Sequence, residues 1–342
     1  MKIPTFSSSI RMDCNENPFA CSPLLLQKLT SISQKSLSTY PDKSELLKKL
    51  ADYCQVDPAC ICLSNGSDDL LRNIIEAYSD EFRPVLLPLP TFSMNLRYLQ
   101  MKRAQVFCHT TPPNEPFPAP ALVEKAKENQ IKLLLLVNPS VPFGREISAQ
   151  NLLYLLDSLP DVYLVIDEAY GEFISHTAVP WIKKYPRLIV CKTMSKAFGL
   201  AGLRLGYAIS DPDNIQQIEK HLSPYSCSSL SCLLACHALE DVQWMKKAVS
   251  KILNEKAKLF EALCLQGWEP VPSSSNFISF FTPQAFQIQA FLKDNFSLLI
   301  RAFEKGYGLE ERVIRISIGT PSENQLCIEA LKQWRKITHE KK

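Results

Sequence analysis

Six residues in this chain have types and spacing that could do chemistry together: Ser67, Asn138, Asp167, Tyr170, Lys196 and Arg204. Lys196 stands behind two hydroxyl residues, Thr193 and Ser195, and eight positions before Arg204. Ala197, Phe198, Gly199, Leu200, Ala201 and Gly202 follow it, so its sequence neighbourhood is small and apolar. A lysine read alone is most often a solvated surface charge. An apolar setting disfavours the ammonium form, and a lysine that attacks an aldehyde needs that bias. Asp167 closes an apolar run twenty-nine residues earlier, and Asn138 closes another. Asn65-Gly66-Ser67-Asp68 opens a helical pattern. The free N–H groups of a helix start bind phosphate, but Ser67 and Asp68 serve equally well as plain caps. Asn138-Pro139 also reads as a turn former.

One cofactor uses all these parts. Pyridoxal 5′-phosphate needs a lysine for attachment and an acid beside its pyridine nitrogen, which lets the ring act as an electron sink. It also needs donors to its ring oxygen and a phosphate cradle. Lys196, Asp167, Asn138 with Tyr170, and Ser67 with Ser195 and Arg204 answer those needs in turn. Other chemistries lack their parts. Asp167-Glu168 after an apolar run would suit an ATPase, but none of the ten glycines forms a G-x-x-x-x-G-K-[ST] loop. No G-x-G-x-x-G is present for a dinucleotide. The five histidines form no H-x-x-x-H or other metal cluster, so no metal site is expected.

Composition narrows the class further. The 342 residues are 46% hydrophobic and 21% charged, ordinary for a globular protein. A net charge of +3 gives no argument for nucleic acid. No apolar run approaches the roughly 18 residues of a membrane span, and the N-terminal stretch lacks the apolar core of a secretory signal. Twelve cysteines are scattered, with no C-x-x-C; the nearest pairs are Cys60/Cys62 and Cys232/Cys236. They read as small hydrophobes in a reducing compartment, so a cytoplasmic location is expected.

The elements that must position these residues follow from periodicity. Short apolar runs predict strands at Ile61–Leu63, Val85–Leu87 (broken by Pro88-Leu89-Pro90) and, weakly, Gln105–Cys108. Continuous runs at Ile131–Val137, Val162–Ile166 and Leu188–Val190 predict strands buried on both faces. Leu203–Ile209 predicts a further strand. Helical patterns alternate with them, one capped by Ser44, one opened by Gly66-Ser67-Asp68 and one capped by Ser148. That alternation implies an α/β fold with a mostly parallel sheet flanked by helices, spanning residues 31–225. Ligands in such sheets sit beyond the carboxyl ends of the strands. After Ser226 a long helical stretch runs to about Leu265 with no Gly or Pro to break it. Short strands follow at Phe277–Phe281, Leu298–Ile300 and Val313–Ile318, then a closing helix. Residues 1–30 and 226–342 are therefore expected to form a smaller α+β domain.

The chain resembles the fold-type-I pyridoxal-phosphate aminotransferases, and within them the histidinol-phosphate aminotransferases, nearly end to end. The resemblance is carried by NENPF at Asn15–Phe19, YPD at Tyr40–Asp42, SNGSDDLL at Ser64–Leu71, PTFSM at Pro90–Met94, NPSVPFG at Asn138–Gly144, VIDEAYGEF at Val165–Phe173, TMSKAFGLAGLRLGYAI at Thr193–Ile209, SNFI at Ser275–Ile278 and IRISIGT at Ile314–Thr320. It implies that Lys196 holds the cofactor and then shuttles a proton, that Asp167 pairs with the pyridinium, and that Asn138 and Tyr170 bond the ring oxygen. Ser67, Asp68, Ser195 and Arg204, with Thr193, would hold the phosphate, and Phe92 would stack on the ring. Asn17 and Asn138 would line the substrate side. Tyr40 would reach across from a second subunit, implying a homodimer. Arg315 and Arg301 would hold the substrate's phosphate, read otherwise as surface ion-pair residues. The implied reaction is histidinol phosphate with 2-oxoglutarate. Ser140-Val141-Pro142-Phe143 departs from the family's usual run there and suggests a more apolar substrate wall, which favours an aromatic-amino-acid aminotransferase. A threonine-phosphate decarboxylase shares the phosphate logic. A non-catalytic cofactor sensor or scaffold is the reading from another class, and the intact lysine, acid and phosphate cradle argue against it.

Overall fold

The apolar runs form strands whose successive residues enter two different cores. The computed structural model describes residues 9–30 and 32–339. In chain order the strands are β1 (Ile10–Met12), β2 (Ile61–Ser64), β3 (Val85–Leu89), β4 (Val106–Thr110), β5 (Leu133–Val137), β6 (Tyr163–Asp167), β7 (Leu188–Thr193), β8 (Gly206–Ser210), β9 (Pro270–Val271), β10 (Phe277–Phe281), β11 (Leu298–Phe303) and β12 (Val313–Ser317). Leu133 and Leu135 of β5, Val165 of β6 and Ile189 of β7 enter one core; Leu134, Leu136, Ile166 and Val190 enter the other. A strand alternates its side chains with period two, so a run buried on both faces must be apolar throughout.

The larger sheet has the order β2-β8-β7-β6-β5-β3-β4. β3, β4, β5, β6 and β7 pair in parallel, while β8 runs antiparallel to both its neighbours. One face is covered by the helix Gly66–Tyr78, through Leu70, Leu71, Ile74 and Ile75, and by Pro212–Glu219. The other face packs Leu122 of Ala119–Glu128, Leu152 and Leu155 of Ala149–Ser158, and Leu50 of Ser44–Cys54. This second core runs on into the smaller sheet, β1-β11-β12-β10-β9, through Phe277, Ile300 and Ile314. There β1 lies parallel to β11, joining the N-terminal stretch to residues nearly 300 positions away. No helix among the described residues is long and apolar enough to cross a membrane.

Three local expectations are corrected. β3 continues through Pro88, which pairs with His109 of β4. Its β5 partner covers only Val85 and Leu86, so the missing N–H at Pro88 interrupts no ladder on that side. Ser44 is the first helical residue rather than the cap, and Asp42 accepts its N–H at 2.9 Å. The long stretch after Ser228 is two helices, Ser229–Glu240 and Val242–Leu265, parted at Asp241. Asp241 breaks the run as an N-cap, accepting the Trp244 N–H and the Ser22 hydroxyl. The remaining predicted strands are present, with ends shifted by a few residues.

Candidate active site

The strand ends set the site's frame. Val137, Asp167 and Cys191 lie in register across β5, β6 and β7. Asn138 follows β5, and its N–H donates to the Asp167 carbonyl at 2.9 Å. The Asn138 side chain is fully buried, and its Oδ1 accepts the Ile147 N–H at 2.8 Å. That bond fixes the amide and leaves Nδ2 buried without a partner. Buried donors are normally satisfied, so Nδ2 is available to an acceptor on a bound molecule.

The Asp167 carboxyl is buried, with Oδ1 accepting the Ala169 N–H at 3.0 Å. Burial pushes its pKa up to about 7; the Ala169 N–H opposes that, Glu168 and Asp68 add to it, and Lys196 opposes it. A cationic ring nitrogen beside it would reverse the balance, since an opposite charge at short range favours the carboxylate.

Lys196 lies in the loop after β7. Its Nζ donates to the Cys14 carbonyl at 2.8 Å and stands 5.7 Å from the Tyr170 ring centre. The expected apolar setting needs correction. Ala197, Phe198 and Leu200 turn into the core and anchor the loop, while the lysine itself is half-buried beside a backbone carbonyl.

The candidate phosphate cradle lies where β8 passes between β2 and β7, with Gly206 paired to both Ser64 and Thr193. A Cβ on Gly206 would overlap the Ser67 backbone nitrogen, so only glycine lets the helix Gly66–Tyr78 start this close to the sheet. Gly66 itself has φ +86°, and a Cβ there would meet Arg204 Nη2 at 2.7 Å. The Arg204 guanidinium therefore lies close to Gly66 at the helix N-terminus. Thr193 Oγ1 is 3.0 Å from Ser195 Oγ and accepts the Ser195 N–H. Asp68 accepts the Tyr98 hydroxyl at 2.8 Å. Helix N–H groups, hydroxyls and a guanidinium together suit a phosphate dianion. With the unpaired Asn138 amide and the buried Asp167, the donor set fits pyridoxal 5′-phosphate. Phe92, half-buried at the start of Ser93–Met101, packs against both cores.

Arg315 on β12 pairs in register with Arg301 on β11. Arg315 Nη2 donates to the Asp13 carbonyl at 2.9 Å, and its Nε is buried without a partner. Burial pulls the Arg315 guanidinium below its usual range; Tyr170 opposes that and Arg301 adds to it. Two like charges opposed on adjacent strands disfavour one another unless an anion joins them. Both ends of the Asn17 amide are already used, donating to the Ala197 carbonyl and accepting the Phe19 N–H. Tyr40 lies elsewhere. It is 73% exposed and stacks on Tyr225 with ring centres 3.9 Å apart.

The Ser140–Phe143 departure is used in packing. Phe143 is buried 5.2 Å from Phe281 and clusters with Leu309 and Val313, and Ser279 donates to the Pro142 carbonyl. These residues fasten the two sheets together, and Ser140 and Phe143 also line a cavity with Pro88, Thr91 and Ile147.

Sequence reasoning missed two polar clusters. Lys192 is buried 3.2 Å from Glu168 and 3.1 Å from Glu172. Burial works against its charge, but Glu172 and Glu168 outweigh that and hold the ammonium well above the usual lysine range. The parity of β7 was the available signal, because Leu188 and Val190 point inward and Lys192 must follow them. Asn15 is the second: buried, at φ 56°, and bonded to Tyr170 and Ser317. It lay in a segment read only as a motif match, NENPF at Asn15–Phe19.

Comparison with known proteins agrees with this geometry. Residues 7–331 match the family described as aminotransferase class I and II. A histidinol-phosphate aminotransferase of Caldanaerobacter subterraneus subsp. tengcongensis is 32% identical over 327 residues, covering 94% of this chain and 92% of that protein. The crystal structure of a histidinol-phosphate aminotransferase from Sinorhizobium meliloti, in complex with pyridoxal-5′-phosphate, superposes with a TM-score of 0.86 at 26% identity, over 95% of this chain and 90% of that one. A structure from Erwinia carotovora atroseptica, described as a putative histidinol-phosphate aminotransferase, gives 0.89 at 26% identity, over 96% and 97%.

Proposed function

The chain belongs to the class I and II aminotransferases, and from that premise we propose that it exchanges the amino group of histidinol phosphate with 2-oxoglutarate. The products are imidazole-acetol phosphate and glutamate. The enzyme depends on pyridoxal 5′-phosphate, which when bound supplies an electron sink for the bond broken at the substrate α-carbon.

The chain's own residues do the rest. Lys196 Nζ would hold the cofactor and would take and return the substrate α-proton as general base and acid. Asp167 keeps a proton on the ring nitrogen. Asn138 Nδ2 and Tyr170 Oη donate to the ring oxygen, and Phe92 packs on the ring face. Ser67, Asp68, Thr193, Ser195 and Arg204 hold the cofactor phosphate, Ser67 and Asp68 through the helix N–H groups. Asn17 keeps the N-terminal stretch against the lysine loop on the substrate side. We assign the cofactor-holding roles to residues 31–225, with the smaller unit of 1–30 and 226–342 supplying Asn17 and the substrate arginines Arg301 and Arg315.

The observation that carries the substrate is the opposition of Arg301 and Arg315, with Arg315 Nε unpaired. Two guanidiniums suit a phosphate dianion better than a single carboxylate requires. We also take the working unit as a homodimer in which Tyr40 reaches the second site; its exposure, with Leu26 and Leu37 exposed in the same stretch, supports this. Scattered cysteines support a reducing compartment, and we place the protein in the cytoplasm. Purified holoenzyme given glutamate and imidazole-acetol phosphate should form histidinol phosphate. Absence of that product from cofactor-loaded protein would end the substrate assignment.

A further inference from the structure

Four hydrogen bonds converge on the buried Asn15. Its N–H donates to Ser317 Oγ at 2.8 Å, and Ser317 Oγ donates to Asn15 Oδ1 at 2.8 Å. Asn15 Nδ2 donates to Tyr170 Oη at 2.8 Å, and the Asn15 carbonyl accepts Asn276 Nδ2 at 3.0 Å. The two preceding carbonyls are also engaged, Cys14 by Lys196 Nζ and Asp13 by Arg315 Nη2. Residues 13–15 thus thread between the lysine, the tyrosine and the arginine of the site.

The direction of this network follows from counting protons. An amide side chain can be turned either way, and only its partners decide. Ser317 Oγ accepts from a backbone N–H, which can only donate, and a hydroxyl has one proton of its own. That proton goes to the Asn15 amide, so the end facing Ser317 is the oxygen. The end facing Tyr170 is then the NH2. Tyr170 Oη accepts there, and its single proton is left for another acceptor. Turned the other way, the amide oxygen would take the tyrosine proton and leave the serine proton unused.

We propose that Asn15 is a positioning residue for amino transfer, aiming the Tyr170 hydroxyl proton at the ring oxygen of the bound cofactor. This rests on the reading above that Tyr170 donates to that oxygen. A donor there stabilises the oxygen's anionic form and lowers its proton affinity, so losing the donor raises that affinity. The charged groups around Tyr170 are Lys196, 5.7 Å from its ring, and Arg315, whose guanidinium feels the tyrosine electrostatically. Phe277, edge-on at 5.4 Å, brings no charge.

The test is the pH midpoint of the holoenzyme's visible absorption. Tyr170→Phe removes the donor and should raise the midpoint by about one unit, tenfold in proton affinity. Asn15→Asp keeps the shape and tolerates the left-handed backbone, but turns an acceptor toward Oη and draws its proton away. It should raise the midpoint by a similar step, and should move it no further in a Tyr170→Phe background. Asn15→Ala removes the donor without adding an acceptor; it should give a smaller rise that also disappears in that background, and it carries the test if Asn15→Asp does not fold. An Asn15 that only packs the loop would leave the midpoint at its wild-type value in both variants, or shift it equally with and without Tyr170, and either result overturns the proposal. A Tyr170→Phe midpoint equal to wild type overturns the assignment of Tyr170 to the ring oxygen, and this inference with it.

Discussion

Asp167 is a carboxyl taken out of water with one backbone N–H to satisfy it. Its pKa in the cofactor-free protein, about 7 against an ordinary 3.8, has a consequence for stability. Between those values the folded chain holds a proton that the unfolded chain has lost. The associated stability is fully present below about pH 4 and declines as pH rises through 7. The loss is on the order of a few kcal/mol. Denaturant unfolding of the cofactor-free protein at pH 5 and pH 8 should therefore show a decline that Asp167→Asn lacks, because asparagine has no proton to lose. An equal slope in both would mean the carboxyl is not desolvated as described. The same substitution should weaken cofactor binding, since asparagine carries no charge to match a pyridinium. Asn17, Tyr40, Phe92, Arg301 and Arg315 were named only through the family resemblance, whereas Asn138 and Asp167 were legible because each ends an apolar run, where a parallel sheet exposes its chemistry. Asn15 was not, because its importance lies in bonds to Tyr170 and Ser317, 155 and 302 residues away.

At the scale of elements, the cradle depends on how closely a helix start approaches β8. Gly206→Ala would press a methyl group into the Ser67 backbone nitrogen and force the helix Gly66–Tyr78 back from the sheet. Overpacking of this kind costs about 1–3 kcal/mol, and it displaces the N–H groups assigned to the cofactor phosphate. The variant should melt at lower temperature and bind cofactor more weakly, as thermal unfolding and a cofactor titration would measure. Unchanged affinity would mean the helix start does not hold the phosphate. The buried strands were readable because both faces demand apolar residues. The reversed direction of β8 was not, because antiparallel and parallel strands bury the same residues. The break at Asp241 was hidden for a different reason. A capping carboxylate needs the Ser22 hydroxyl and the Trp244 N–H to make it a helix start, and only the second is local.

At the scale of the molecule, one core face is shared between the two sheets, and Phe143 with Phe281 adds a second fastening. This arrangement fixes the lysine loop against the strands that carry Arg301 and Arg315. The proposed homodimer adds Tyr40 from a second copy. Lys196→Ala and Tyr40→Ala, each of low activity alone, should complement when co-refolded. A mixed dimer has one site with both residues intact, giving about a quarter of wild-type activity from random pairing. No recovery would place Tyr40 outside the second subunit's site. The central claim, a phosphate-recognising aminotransferase built on Lys196, is tested most directly by following the visible absorption of holoenzyme mixed with histidinol phosphate or with unphosphorylated histidinol in the absence of an oxo acid. The account predicts rapid conversion to the amine form of the cofactor with histidinol phosphate. With histidinol it predicts a tenfold or greater rise in the concentration needed, about the loss of one charged hydrogen bond. Equal responses to the two donors, or no conversion by either, would contradict it.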